Sequence, residues 1–274
     1  MAKKLNVVIN GFAEQKPEDS NDLITQGMGL LNFLVSLGYD SQQLPVASLL
    51  SKSAHLEGHW LVISPVHWQA THNDAMIMAV GEELGLTDMQ AQALHQRYAT
   101  YLAEEGLTLY YFQKDLWLLR CDNLPTLSAK PVYQLLNKSL MPELSSLDST
   151  LFWQKFITES QMFFASFDNE TAVNGVWVWG GSATTSLQTT SAICVDESLF
   201  ALAQNCTTRV TKYSPELSLN DFDLFFLNSL NSLSVQHQEE LNKIPANWYW
   251  NNIAYTRCNP HWIARLWRKM IHAD

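Results

Sequence analysis

The sequence predicts an α/β protein whose core is drawn from both ends of the chain, with an α+β segment inserted between them. Three observations predict it. A β-branched apolar run, Leu5-Asn6-Val7-Val8-Ile9, ends in Asn10-Gly11 and leads through a polar loop into a helix, the order expected of layered α/β packing. Strand-like apolar runs return late, at residues 191–195 and 223–227, with helix-like stretches between and after them. Between these ends, residues 59–120 mix short strands with one long helix. The expected core is therefore residues 1–55 and 172–274, and the expected insertion with its connecting helix is residues 56–171.

Taken in order, the first strand is followed by Leu30, Leu31, Phe33, Leu34 and Leu37 at helical spacing, stopped by Gly38. A second short helix is expected at residues 46–50, after Pro45. Residues 60–63 and 75–80 read as strands flanking a polar stretch at 65–74. A helix over residues 87–105 has Thr87 as its N-cap and Gly106 as its end. Residues 107–112 and 116–120 form a hairpin around Gln113-Lys114-Asp115. Residues 149–164 carry Leu151, Phe152, Phe156, Ile157, Phe163 and Phe164 on a helix. Later come a helix at 197–204, an extended piece at 207–210 and a polar helix at 235–244. A closing helix at 262–271 has Trp262, Leu266, Trp267 and Met270 on one face.

Composition narrows the function. With 17 basic and 27 acidic residues in 274, the net charge of −10 repels nucleic acid and anionic membrane, and no basic patch of useful size offsets it. Only 16% of the residues are charged while there are 10 Trp, which is compatible with a partner interface. Cys121, Cys194, Cys206 and Cys258 show no CxxC spacing, as expected of free thiols in a reducing compartment. The N-terminal apolar run is too short for a signal peptide, and no run of 18 apolar residues exists. The expectation is a soluble, cytoplasmic protein without a spanning helix.

The most informative stretch is Val173-Asn174-Gly175-Val176-Trp177-Val178-Trp179-Gly180-Gly181-Ser182. It reads as a strand running into a tight turn, and glycines there would let the backbone approach a small anion. The same pattern equally describes a turn beneath an aromatic core. Ser182 is not part of a G-x-S-x-G elbow, and no P-loop or dinucleotide fingerprint occurs. Five of the eight histidines fall between residues 55 and 95, and His67, His72 and Asp74 are credible ligands for a divalent cation, although their spacing matches no standard signature. Glu82-Glu83, Glu104-Glu105 and Glu239-Glu240 read as solvated helix faces.

Four segments together resemble the proteobacterial regulatory proteins of the RpfE type, many of which are labelled phosphoglycerate mutase. They are Trp60-Leu61-Val62-Ile63-Ser64-Pro65-Val66-His67-Trp68, Glu159-Ser160-Gln161-Met162, the Trp-Gly-Gly stretch and Leu266-Trp267-Arg268. The layout is also similar to a shortened archaeal-type cofactor-independent phosphoglycerate mutase. That resemblance implies a reduced alkaline-phosphatase-like sandwich core carrying the inserted α+β subdomain. In those enzymes the first strand ends in Asp-Gly and two divalent metals activate a serine. Here Asn10 stands in the carboxylate position, and Asn228-Ser229-Leu230-Asn231-Ser232-Leu233 follows the late strand, with only His237 nearby.

The resulting expectation is a non-catalytic regulatory or ligand-binding protein with no cofactor. Its ligand would be a small anion or a protein partner, held by Asn10, Asn174, Trp177, Trp179, Gly180, Gly181 and Ser182. The alternative is a phosphoglycerate mutase or phosphohydrolase using Mn or Zn at a relocated site of His67, His72, Asp74 and His237. A third reading is a partner surface around Trp248, Tyr249 and Trp250.

Overall fold

The computed structural model describes residues 4–72, 74–167, 170–181 and 191–257. In chain order it contains β1 (Leu5–Ile9), β2 (Ser20–Leu23), α1 (Gly29–Ser36), α2 (Val46–Ser53), β3 (Trp60–Ala70), β4 (Ala75–Val80), α3 (Asp88–Glu104), β5 (Leu109–Gln113), β6 (Leu116–Arg120), α4 (Met141–Leu144), α5 (Phe152–Ala165) and β7 (Gly175–Trp179). It continues with β8 (Ile193–Val195), α6 (Phe200–Gln204), β9 (Val210–Lys212), β10 (Leu224–Leu227), α7 (Val235–Leu241), β11 (Ala246–Tyr249) and β12 (Ala254–Arg257). The fold is mixed α/β with two sheets. Among the described residues no helix is long and apolar enough to cross a membrane.

The chain divides into two compact units, Met1–Tyr39 with Leu187–Asp274, and Asp40–Ser186. The first holds a seven-stranded sheet in the order β2-β12-β11-β1-β10-β8-β9. β1 lies parallel between β10 and β11, β8 and β9 extend the parallel part, and β12 and β2 close the other edge antiparallel. Val7, Val8, Ile9, Phe225, Phe226 and Leu227 are buried without alternation, the signature of strands covered on both faces. Val7, Ile9, Phe225, Leu227 and Trp248 build one face of this core. On α1, Phe33 stacks on Phe226 with ring centroids 4.6 Å apart.

The second unit is organised around β3, which pairs with β4, β6 and β7, while β5 extends β6. The polar stretch expected to separate two strands is instead the second half of β3, which runs through Pro65. β6 pairs with Trp60 to Ile63 and β4 with Val66 to Ala70, so Pro65 falls in the gap where one partner gives way to the next. Its missing N–H therefore costs no ladder bond on that edge. α3 is fixed at its start by a capping box between Thr87 and Gln90, and Gly106 follows its end with φ of 75°.

The expected boundaries shift in one important respect. The residues of β7 are expected in the core, but they pair antiparallel with Val62 to Val66 of β3 and lie in the second unit, as does α2. β7 is buried at all five positions. A short strand that is apolar on both faces carries no information about which sheet it enters. Trp248 is likewise a core residue, 3% exposed on β11, rather than part of a tryptophan surface. The expected closing helix lies outside the described residues.

Candidate functional site

The Trp-Gly-Gly strand was the foremost sequence candidate, and its polar groups are engaged within the second unit. Trp177 and Trp179 are fully buried. Their indole N–H groups donate to the Lys130 carbonyl and to Ser64 Oγ, each at 3.0 Å. Asn174 accepts from Trp68 N at 2.6 Å and donates to Trp68 O at 2.9 Å, beside the register shift between His67 and Trp68 on β3. Gly180 adopts φ of 74°, and its carbonyl accepts from Ala47 N, a first-turn donor of α2, at 3.1 Å. A Cβ on Gly181 would collide with the Leu61 side chain. Asn174, Trp177, Trp179, Gly180 and Gly181 thus build the sheet and cap a helix where a ligand surface was expected. Ser182 lies outside the described residues.

Each residue of the histidine alternative has its own local setting. His67 Nδ1 lies 2.7 Å from the Ala172 carbonyl. Asp74 Oδ1 accepts from Ala75 N at 2.7 Å and Ser139 Oγ at 2.8 Å, while His72 is exposed. His237 belongs to the first unit, buried to 4% exposure, with Nδ1 2.9 Å from Tyr213 Oη. Among the described residues no three His, Cys, Asp or Glu side chains converge as a cation site. Cys121 and Cys194 are poor nucleophiles. Burial, reinforced by Asp122, pushes Cys121 up to about 11, and burial with Asp196 pushes Cys194 up to about 12.

The first unit brings together a different set. From β8 the chain passes through α6 to β9 at the sheet edge, whereas from β10 it passes through α7 to β11 on the far side of β1. The two connections diverge between β8 and β10. Carboxyl ends of strands at such a switch point are where open α/β sheets hold ligands. Asp196 follows β8, Asn228 follows β10 and Asn10 follows β1. Asp196 Oδ2 accepts from Asn228 N at 2.6 Å and from Ser232 Oγ at 3.1 Å. Asn228 Nδ2 donates to Ser198 Oγ at 2.7 Å, and Asn10 N donates to Leu227 O at 2.7 Å.

Asn10 is held against the start of α1. A Cβ at Gly29 would lie 2.8 Å from Asn10 Cα and from Asn10 Oδ1, so only glycine permits this approach. Met28 supplies no side-chain cap, which leaves the first-turn N–H groups of α1 beside Asn10. Asn32, 1% exposed, fixes the entry to α1: its Oδ1 accepts from Gln26 N at 2.8 Å and its Nδ2 donates to Trp250 O at 3.1 Å. The site therefore offers carboxamides, hydroxyls and backbone donors around one carboxylate. That donor set does not fit two divalent cations, whose dehydration must be offset by several anionic oxygens. Of these residues the sequence singles out Asn10 as a candidate and Asn228 only as a neutral residue after the late strand, while Asp196 and Ser198 are not among its candidates. Their signal was the same, a polar residue directly after a short apolar run, but it gains meaning only once strand order is known.

Against known proteins, no family model and no curated protein matches the chain. One solved structure is similar. It is the cofactor-independent phosphoglycerate mutase from Thermoplasma acidophilum, 10% identical with a TM-score of 0.33, over 93% of this chain and 79% of that one.

Proposed function

We propose that this chain is a non-catalytic regulatory or ligand-binding protein of the RpfE type, on a reduced, degenerate phosphoglycerate-mutase-like scaffold of the alkaline phosphatase superfamily. It works in the cytoplasm and binds a small anionic ligand at the carboxyl ends of β1, β8 and β10. The observation that carries this reading is the gathering of Asn10, Asp196 and Asn228 at the switch point of the parallel sheet. Ligand oxygens would take hydrogen bonds from the Asn10 and Asn228 carboxamides and the first turn of α1, a combination that favours negative charge. Asp196 acts internally, its carboxylate holding the Asn228 backbone and Ser232.

The test is a thermal titration of the full chain with 3-phosphoglycerate and with inorganic phosphate, because a ligand that binds only the folded state raises the midpoint. A saturable rise for the phosphoester, without conversion to 2-phosphoglycerate and diminished in Asn10→Ala, is the expected result. Absence of any shift overturns the site. Turnover in added Mn or Zn that is lost in His72→Ala overturns the non-catalytic reading in favour of the metal enzyme.

A further inference from the structure

The second unit contains a cavity of about 220 Å³ between the end of α3 and the start of α5, whose lining includes Tyr101, Phe152 and Phe156 together with Glu105, Glu159 and Lys155. Ligand pockets commonly span roughly 300–1,000 Å³, so a cavity of this size admits only a small molecule. We propose that it binds a small organic amine, with its apolar body against the aromatic rings and its ammonium group facing Glu105.

Charge selects the cation. Lys155 is paired with Glu159 at 3.4 Å, whereas Glu105 has no ion-pair partner among the described residues. Glu104 closes α3 and Glu105 is its C-cap, with no basic residue in the last turn. Two adjacent carboxylates at the negative end of a 17-residue helix repel each other and the helix dipole, so they sustain a negative potential that a bound cation relieves. The phenol of Tyr101 reports that potential: burial and then Glu159, Glu105 and Glu104 raise its pKa. Tyr101 stacks on Phe163 at 4.7 Å, and Phe152 meets Phe156 at 6.4 Å, so the aromatic walls are fixed by their neighbours. Ring faces attract an ammonium group that has lost part of its hydration. Ser160, 1% exposed, also lines the cavity and is already engaged with Tyr98 Oη at 2.5 Å and the Phe156 carbonyl at 2.7 Å. Polar selection therefore falls to the carboxylates.

Calorimetric titration of the full chain with 2-phenylethylammonium, 2-phenylethanol and 3-phenylpropionate separates charge from shape. The amine is expected to bind saturably, the alcohol at least about tenfold more weakly and the carboxylate not at all. Glu105→Gln, a change at an exposed position, is expected to weaken the amine by about tenfold without lowering the melting temperature of the free protein. Equal affinity for alcohol and amine, an unchanged affinity in Glu105→Gln, or no binding of the amine would each overturn the proposal.

Discussion

Asn174 takes up both backbone polar groups of Trp68, accepting from its N–H at 2.6 Å and donating to its carbonyl at 2.9 Å. The β3–β7 ladder ends at the Val66–Gly175 pair, so the Trp68 backbone groups on that edge have no strand partner and need a side chain to satisfy them. The carboxamide, carrying one donor and one acceptor on the same end, does so.

Asn174→Ala should therefore destabilise the protein by about 2–4 kcal/mol, because two groups on a largely buried strand lose their partner. Asn174→Asp should also destabilise it, since a carboxylate cannot donate to the Trp68 carbonyl. Urea unfolding of both variants, followed by tryptophan fluorescence, checks this.

Gly29→Ala places a methyl group 2.8 Å from the backbone Cα of Asn10. The helix-propensity gain of alanine, at most about 1 kcal/mol, is outweighed by a clash with backbone that cannot rotate away. A net loss of about 1–3 kcal/mol is expected, together with weaker binding of 3-phosphoglycerate in the thermal titration.

Asp115 sits in the β5–β6 turn at 9% exposure, accepting from Gln113 Nε2 at 3.0 Å and Tyr133 Oη at 3.3 Å. Burial raises its pKa above the ordinary 3.8, against the opposing effect of these hydrogen bonds. The folded state thus holds its proton to higher pH than the unfolded chain. This group's contribution to stability falls as pH rises from 3.8 through the raised value. Asp115→Asn, which keeps an acceptor for Gln113 and removes the charge, should raise the melting temperature at pH 7. It should also flatten the pH dependence across that window.

Asp148 stands ahead of α5 and accepts from Thr150 N at 2.7 Å, Trp153 N at 2.9 Å and Phe152 N at 3.2 Å. Burial alone would raise its pKa, but the hydrogen bonds from Thr150, Trp153 and Phe152 outweigh it and lower the value. The stability it contributes is present above 3.8 and is lost as pH falls through the lowered folded value. Asp148→Ala should cost about 1 kcal/mol at pH 7, as loss of a helix cap does, and less in acid. Thermal melts at pH 7 and pH 3 distinguish the two conditions.

Local signals placed many of the elements. The β-branched run of β1, the Thr87 cap of α3 with Gly106 beyond it, and the hairpin around Gln113-Lys114-Asp115 depend on residues close in sequence. Asn10 stands out as a candidate for the same reason: it directly follows an apolar strand.

What the sequence determined by itself was the α/β class, most strand and helix positions, and the neutrality of Asn10, because propensity, capping and periodicity act over a few residues. Only the tertiary structure decided that β7 joins β3, that Pro65 lies inside a strand, and that Trp177, Trp179 and Trp248 fill cores. Only it set Asn228 beside the end of β1 and Asp196 against Asn228. Those outcomes depend on pairing between segments far apart in the chain, and a fully apolar strand has no alternation to show which edge it will meet.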